Sequence, residues 1–364
     1  MHARPLIFAS CLFGMVAHGG SAQWEEPPKS PEIHADGTAT FRLNAPNATK
    51  VTLSASFVED GKAPMERDED GVWALTVGPL EPDIYGYTLD VDGLSVLDLA
   101  NHDGRLGRWP ESQFLVRADP PRAYEQADAP QGAVHLRRYA SESLGVVRRM
   151  HVYTPPGYTP DTTYPVVYLL HGYGDTDSGW TTLGRAHIIA DNLIAAGKID
   201  PMVIVMPHGH AAPADLTVEN WRGVRGGFET DLMADILPFV SANYSVATDV
   251  DNTAIVGLSM GGGQSLGVGL TRLDTFGWIG GYSSAVPDED LEETFADVLS
   301  RPGKPRLLWV GCGTDDFLYE RNTAFLAWLS ENDVPHTAHI TDGGHTWSVW
   351  RDYLEEFLPL LFRD

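Results

Sequence analysis

The residues best suited to chemistry form the pentapeptide Gly257-Leu258-Ser259-Met260-Gly261, which follows an apolar run at residues 253–256 and precedes a helical pattern. A serine flanked by glycines at a turn from strand to helix fits a backbone bend so sharp that bulky neighbours are excluded. The bend lifts the hydroxyl above the sheet and aims the next backbone N–H at the reacting oxygen. The pattern therefore predicts Ser259 as a nucleophile and the N–H of Met260 as an oxyanion donor.

A serine hydroxyl is a weak nucleophile until a base takes its proton, and after such a turn the partners follow in the order acid, then histidine. His345 ends the loop Asp342-Gly343-Gly344-His345, between a predicted strand at 336–340 and the last helix. A loop at that place can point an imidazole at the serine. His345 is accordingly predicted as the general base.

The acid is expected in the loop Gly313-Thr314-Asp315-Asp316, which follows the predicted strand at 306–310. Only one aspartate can accept the histidine N–H, and the other would cap the helix that begins near Leu318. We favour Asp316 as the residue that orients His345, and Asp315 remains the alternative.

A second oxyanion donor is expected from His171-Gly172-Tyr173-Gly174, the loop after the predicted strand at 166–170. Its glycines allow the backbone to approach a substrate closely. The N–H of Tyr173 is the predicted donor, and Gly172 is a predicted substrate contact.

From residue 133 onward, continuous apolar runs alternate with helical patterns. The predicted strands cover residues 146–153, 166–170, 202–206, 253–256, 278–282 and 306–310, and the predicted helices cover residues 186–196, 230–243, 262–273, 291–299, 321–332 and 348–362. Such alternation implies a mostly parallel sheet covered on both faces. With the order of the candidate residues, it predicts an α/β-hydrolase fold over residues 132–364.

The N-terminal part has a different pattern. After a proline-rich lead at 23–34, short runs of alternating apolar and polar residues at 40–43, 50–54, 72–77 and 85–91 predict an all-β, immunoglobulin-like sandwich over residues 35–118. Trp73 and Trp109 are expected in its core. Residues 119–131 lack periodicity and are interpreted as a linker.

Residues 1–22 combine Arg4, an apolar stretch and small residues before a polar chain, which predicts a signal peptide cleaved after Ala22 and a secreted or periplasmic protein. A lipoprotein box at Cys11 is the minor alternative. No later run is long enough to span a bilayer. Cys312, the other cysteine, is interpreted as a buried, inert thiol, so no intramolecular disulfide is expected.

The 364-residue chain carries 50 Asp and Glu against 25 Lys and Arg, a formal charge of -25. Such a charge would repel phosphate backbones and argues against nucleic-acid partners. The excess of carboxylates is interpreted as keeping an exported protein soluble. Neither a cofactor nor a metal is predicted, and the oligomeric state is left open.

Several stretches beyond the serine motif resemble the esterase-D-like enzymes of carbohydrate esterase family 1, the bacterial feruloyl and acetyl xylan esterases. The resemblance rests on Leu170-His171-Gly172, Gly184-Arg185-Ala186, Met206-Pro207-His208-Gly209-His210, Phe228-Glu229-Thr230-Asp231-Leu232, Gly257 to Ser265, and Gly344-His345-Thr346-Trp347. In that family the acid follows a Gly-Thr-x-Asp pattern, which implies Asp316. The preceding module, with Phe41 to Pro46 and Asp70 to Trp73, looks like the early-set sandwich related to carbohydrate-binding module family 48.

The resemblance also implies a substrate cleft bordered by the segment from His208 to Arg225. His208, Trp221 and Arg222 are the predicted substrate contacts there, since an aromatic ring can stack on a sugar or a feruloyl group. A metal pair of His208 and His210 is the weaker interpretation, because no carboxylate-rich or cysteine-rich pattern accompanies it.

The leading hypothesis is hydrolysis, through an acyl-enzyme, of feruloyl or acetyl side groups on a plant cell-wall polysaccharide such as xylan, or of a small ester. A siderophore esterase of the enterochelin type is the second hypothesis, because those enzymes also join a sandwich to this fold. A glycan-binding protein without catalysis is the hypothesis from a different class.

Overall fold

The computed structural model describes residues 27–105, 108–211, 225–286, 291–292, 295 and 304–363. The first two sheets belong to the N-terminal part. One is four-stranded, in the order β1 (Glu32–Ile33), β2 (Ala39–Asn44), β6 (Val72–Val77), β5 (Glu66–Arg67). The other contains β4 (Lys62–Pro64), β3 (Val51–Ser54), β7 (Ile84–Val91), β10 (Glu111–Leu115) and β9 (Gly104–Arg105), with β8 (Leu94–Val96) paired to β7.

The two sheets enclose an apolar core whose centre is aromatic. Phe41 packs edge-on against Tyr87 and Phe114, with ring centroids 4.7 and 5.4 Å apart. Trp73 is buried and donates its indole N–H to the Ala45 carbonyl at 3.0 Å, as a core tryptophan should. Trp109 is 54% exposed, so its prediction as a core residue was wrong. The predicted all-β sandwich is confirmed.

The third sheet has eight strands in the order β11-β12-β14-β13-β15-β16-β17-β18. In chain order, these strands are β11 (Ala133–Ser141), β12 (Val146–Thr154), β13 (Val166–Leu170), β14 (Val203–Pro207), β15 (Thr253–Leu258), β16 (Trp278–Tyr282), β17 (Leu307–Gly313) and β18 (Thr337–Thr341). β11 and β12 are antiparallel to their neighbours, whereas the pairs from β14 to β18 are parallel. The mostly parallel sheet is confirmed, although β11 was not predicted.

Helices cover both faces of this sheet. They are α1 (Gly179–Thr182), α2 (Ala186–Ala195), α3 (Arg225–Asp231), α4 (Leu237–Asn243), α5 (Met260–Thr271), α6 (Tyr319–Glu331) and α7 (Trp347–Phe357), with a π-helical turn at Leu232–Ile236 between α3 and α4. One core contains side chains of α5 and α6, and a second core contains those of α2 and α7. Most of the predicted helix at 291–299 lies outside the described residues.

Residues 119–131, predicted as a linker, contain no helix or strand but are firmly held. Glu125 is buried, and Asn192 on α2 donates to the carbonyls of Ala123 and Glu125 at 2.8 and 2.9 Å. Arg351 on α7 pairs with Asp83 of the sandwich and donates to the Leu183 carbonyl. Sandwich, connecting segment and hydrolase therefore share buried polar contacts.

Candidate active site

Ser259 lies between β15 and α5 in a backbone conformation that non-glycine residues rarely adopt, with φ 51° and ψ −114°. Both flanking glycines are sterically required. A Cβ on Gly257 would lie 2.5 Å from the Gly261 carbonyl oxygen, and a Cβ on Gly261 would lie 2.6 Å from that of His171. The Ser259 carbonyl accepts from the N–H groups of Gly263 and Ala285, which hold the strained residue in place.

Three side chains predicted as partners lie within hydrogen-bonding distance in a chain. His345 Nε2 lies 3.0 Å from Ser259 Oγ, and His345 Nδ1 lies 3.0 and 2.9 Å from the two carboxylate oxygens of Asp316. With the imidazole neutral, its Nδ1–H donates to the carboxylate and leaves the Nε2 lone pair facing the serine hydroxyl. The arrangement has the geometry of a serine hydrolase triad.

The side chain of Asp316 has no exposed surface, yet its hydrogen bonds favour the ionised form. Burial alone would raise its pKa, but hydrogen bonds from His345, Ser283 and the Leu318 N–H outweigh that and lower the pKa below its usual value. Asp315 is exposed and does not reach His345. The expectation that the second aspartate caps the next helix was wrong, because it is Asp316 that accepts the Leu318 N–H.

The loops that carry Asp316 and His345 are joined through their backbones. The Asp315 N–H donates to the Gly343 carbonyl at 2.9 Å, and the Thr314 N–H donates to that of Thr341 at 2.9 Å. A Cβ on Gly313 would lie 2.1 Å from the Gly343 oxygen, so glycine is required for this approach. The acid and the histidine are therefore positioned as one unit.

The predicted oxyanion loop is a tight turn at residues 172–175, closed by the Asp175 N–H bonded to the Gly172 carbonyl at 3.1 Å. A Cβ on Gly172 would lie 3.5 Å from Ser259 Cβ, so the loop passes directly beside the serine. Buried His171 orients the turn. Its Nε2 accepts the Gly209 N–H at 2.8 Å, so its Nδ1–H donates to the Gly172 carbonyl at 2.7 Å.

The three histidines near this turn are held neutral. Burial is the main cause and lowers the pKa of His171 to about 3, that of His208 to about 4, and that of His210 below its usual value. His210 Nε2 lies 2.8 Å from the Tyr173 carbonyl oxygen, and its ring packs near that of His208. Within the described ranges, no cluster of His, Cys, Asp and Glu could hold a metal ion.

The predicted substrate contacts are only partly visible. Half-buried His208 lines a cavity of about 440 Å³ together with Arg138, Val146, Val147, Arg148, Arg149 and His210. Arg148 donates to the backbone carbonyls of His208 and His210, which fixes this segment on the sheet edge. Trp221 and Arg222 lie outside the described residues.

Sequence reasoning missed two aromatic side chains at the candidate site, one beside His345 and one on the predicted oxyanion loop. The Phe317 ring, 75% exposed, lies 4.4 Å from the His345 ring between centroids. Trp109 of the sandwich packs on the oxyanion loop, since a Cβ on Gly174 would lie 2.3 Å from its ring. Phe317 directly follows Asp316 and could have been considered on that basis. Trp109 carries no local signal.

The eight-stranded sheet, the strained serine after β15 and the histidine after β18 define an α/β-hydrolase. A family model described as "Putative esterase" matches residues 141–361, and one described as carbohydrate-binding module 48 (isoamylase N-terminal domain) matches residues 29–103. The chain therefore belongs to this esterase family, and the resemblance to carbohydrate esterase family 1 is confirmed.

Individual relatives agree with this assignment. An endo-1,4-beta-xylanase/feruloyl esterase from Xylanibacter ruminicola is 30% identical over 349 residues, which cover 92% of this chain and 46% of that protein. The chain spans less than half the length of the first curated relatives it matches. The ferulic acid esterase of carbohydrate esterase family 1 from Anaeromyces mucronatus is 28% identical with a TM-score of 0.60, covering 66% of this chain and 96% of that one.

A third neighbour resembles both parts of the chain. The enterobactin esterase from Shigella flexneri, solved in the presence of enterobactin, covers 95% of this chain and 99% of its own, with a TM-score of 0.64. At 19% identity, this similarity shows only that the combination of sandwich and hydrolase folds is shared.

Proposed function

We propose that this protein is a serine carboxylesterase in which Ser259 is the nucleophile, His345 the general base and Asp316 the residue that orients the histidine. The observation that carries the proposal is the unbroken chain of contacts from Ser259 Oγ through His345 to Asp316, at 3.0 and 2.9 Å. A serine in a strained turn, an imidazole and a buried carboxylate together can activate the hydroxyl.

The reaction follows from these positions. Ser259 Oγ attacks the ester carbonyl carbon while His345 Nε2 takes the hydroxyl proton, and the N–H groups of Met260 and Tyr173 stabilise the oxyanion. The intermediate collapses with loss of the alcohol, which receives the proton from His345, and leaves an acyl-enzyme. Water then attacks the acyl carbon in the same way, releasing the acid and restoring the Ser259 hydroxyl.

Feruloyl or acetyl side groups on a polysaccharide such as xylan are the proposed substrates. The relative from Xylanibacter ruminicola supports this class, as does the 28% identical ferulic acid esterase. Gly172, beside Ser259, is the proposed contact with the ester, and His208, Trp221 and Arg222 are the proposed contacts with the acyl or sugar groups. No cofactor is required by this chemistry.

A siderophore ester is the alternative substrate, and the similarity to the enterobactin esterase is what favours it. Because that similarity concerns the fold alone, while the feruloyl esterase relatives are closer in sequence, we rank it second. Chromatography of products from iron-loaded enterobactin would separate the two. A purely glycan-binding protein would not need the aligned triad, and a fluorophosphonate probe that fails to label Ser259 would support it.

Export and the domain limits complete the proposal. The basic start and apolar stretch within residues 1–22 support a cleaved signal peptide and a secreted or periplasmic protein, although these residues lie outside the described part. In the described part of the chain, no helix has the length and apolarity needed to cross a bilayer. The proposed units are the sandwich at 35–118, the connecting segment at 119–131 and the esterase domain at 132–364.

Turnover of methyl ferulate and acetylated xylan by wild type and Ser259→Ala tests the proposal. We expect Ser259→Ala to lose more than about 10³-fold in kcat with both substrates. Ser241→Ala removes an exposed hydroxyl on α4 and serves as the matched control with wild-type activity. Equal turnover by wild type and Ser259→Ala would refute the assignment of the nucleophile.

A further inference from the structure

The sandwich contacts the hydrolase at the loop proposed to stabilise the oxyanion. Arg105 Nη1 pairs with Asp175 at 3.1 Å, and Arg108 donates to the Tyr173 hydroxyl at 2.8 Å and, from its backbone N–H, to the Gly174 carbonyl at 3.3 Å. Trp109 lies against Gly174. Three residues of the turn at 172–175 are thus contacted from the other domain.

The ion pair between Arg105 and Asp175 is suited to fixing a position. Its side chains are only 13% and 7% exposed, so solvent screens the pair far less than one at the surface. Arg105 Nη2 pairs with Glu111 of the sandwich sheet at 3.1 Å. The two terminal nitrogens of one guanidinium therefore join the sandwich sheet to Asp175. The Asp175 N–H in turn closes the turn through the Gly172 carbonyl.

The cation of Arg108 provides a second connection on the outer side of the turn. Its guanidinium carbon lies 5.0 Å from the centroid of the Tyr173 ring and 5.4 Å from that of the Trp109 ring, within cation–π distance of both. On the hydrolase side, His171 holds the Gly172 carbonyl and His210 lies at the Tyr173 carbonyl. The turn at residues 172–175 is therefore held by contacts from both domains, and Arg105, Arg108 and Trp109 supply those from the sandwich.

We propose that the sandwich positions the oxyanion loop of the esterase, with Arg105 and Arg108 as positioning residues for the backbone N–H of Tyr173. Glycines on both sides of Tyr173 leave the turn few restraints of its own. An oxyanion donor contributes only when it is held within a fraction of an ångström of the developing charge. The N-terminal domain thereby acts on the chemical step itself, in addition to any contact with a polymer. This inference rests on the proposed function.

The test uses the full-length protein and p-nitrophenyl acetate, a soluble ester too small to require polymer binding. Arg105→Ala is expected to lower kcat about tenfold with little change in KM, because misplaced catalytic groups cost rate more than binding. Arg105→Lys should restore only part of kcat, since an ammonium cannot reach Asp175 and Glu111 as a fork does. Arg42→Ala, which removes the sandwich's own ion pair with Glu32, is the matched control and should keep wild-type kcat.

Arg108 provides a second variant, and because its side chain is exposed, its removal leaves no cavity in the core. Arg108→Ala should lower kcat about threefold and slow phosphonate labelling of Ser259 in proportion. A kcat within twofold of wild type for both Arg105→Ala and Arg108→Ala, with the fold intact, would overturn the inference.

A double-mutant cycle separates positioning from general destabilisation. If Arg105 acts through Asp175, the double variant Arg105→Ala/Asp175→Ala should lose no more kcat than Asp175→Ala alone. Additive losses would overturn the proposed route. If Ser259→Ala stayed active, the proposed function itself would fail; an inactive Ser259→Ala with an unaffected Arg105→Ala refutes the positioning role alone.

Discussion

Replacing Asp316 by asparagine tests the geometry of the site more severely than removing the nucleophile. In the structure, His345 Nδ1 lies 3.0 and 2.9 Å from the two carboxylate oxygens, and the Leu318 N–H binds one of them at 2.8 Å. An asparagine that keeps its carbonyl on Leu318 turns its NH₂ toward Nδ1. The imidazole would then accept at Nδ1 and carry its proton on Nε2, where it faces Ser259 and cannot act as a base.

The expected loss follows from that tautomer change. In the general serine hydrolase mechanism, the same replacement costs about 10⁴ in kcat, which corresponds to about 5.5 kcal/mol of transition-state stabilisation. Asp316→Asn should therefore lose about 10³- to 10⁴-fold in kcat on p-nitrophenyl acetate. The assay measures the rate at which nitrophenolate is released. Circular dichroism should show a native fold, because the side chains are nearly the same size.

Asp315→Asn is the matched control. Asp315 is exposed and only its backbone N–H is bonded to the His345 loop, so we expect wild-type kcat. The reasoning would be refuted if Asp316→Asn kept more than a tenth of wild-type kcat, or if Asp315→Asn lost as much.

Further predictions concern the scaffold. Gly263→Ala places a Cβ 2.4 Å from the Ala285 carbonyl oxygen beside the serine turn and should lower the free energy of unfolding by about 1–3 kcal/mol in urea titrations; Gly267→Ala, which meets nothing within 4 Å, should be neutral or stabilising, and equal effects would contradict the packing. Burial raises the pKa of Cys312 to about 12, so its thiol should resist iodoacetamide until urea unfolds the chain, and rapid native alkylation would disprove this. Because burial lowers the pKa of His171 from 6.5 to about 3, its neutral form contributes stability that is complete above pH 6.5 and is lost as the pH falls toward 3. The imidazole of His171 should contribute up to about 1.4 kcal/mol per pH unit to the pH dependence of the unfolding free energy in this range. A His171→Gln variant whose unfolding free energy changes with pH as steeply as that of the wild type would contradict this prediction.

Local patterns predicted much of the fold and the candidate site. A Cβ on Gly257 would meet Gly261 within the same turn, so the turn could be inferred from spacing, whereas the close approach of Gly261 to His171 could not. Strand β13 and strand β16 (Trp278–Tyr282) were predicted with their observed bounds, because both are continuous buried runs that begin after a proline or a glycine and end before a polar residue. Strand β11 was missed, because most of its residues are exposed on the edge of the sheet.

Contacts between distant parts of the chain could not be inferred in this way. Arg105 and Asp175 are 70 residues apart and belong to different domains, and no periodicity signals their pairing. Trp109 is a large aromatic residue of the kind that is common in cores. Its side chain instead packs on Gly174 of the hydrolase, a contact that depends on how the two domains meet. The choice between Asp315 and Asp316 depended on which side chain turns inward, which the spacing alone left open.

The central claim is that Ser259 becomes acylated during turnover. The most direct measurement is rapid acid quenching of the enzyme during hydrolysis of p-nitrophenyl acetate, followed by peptide mass spectrometry. We predict an added acetyl group on Ser259, with none at that peptide in Ser259→Ala and much slower formation in His345→Ala. An acetyl group on another residue that forms and decays at the turnover rate, with Ser259 unmodified, would contradict the account.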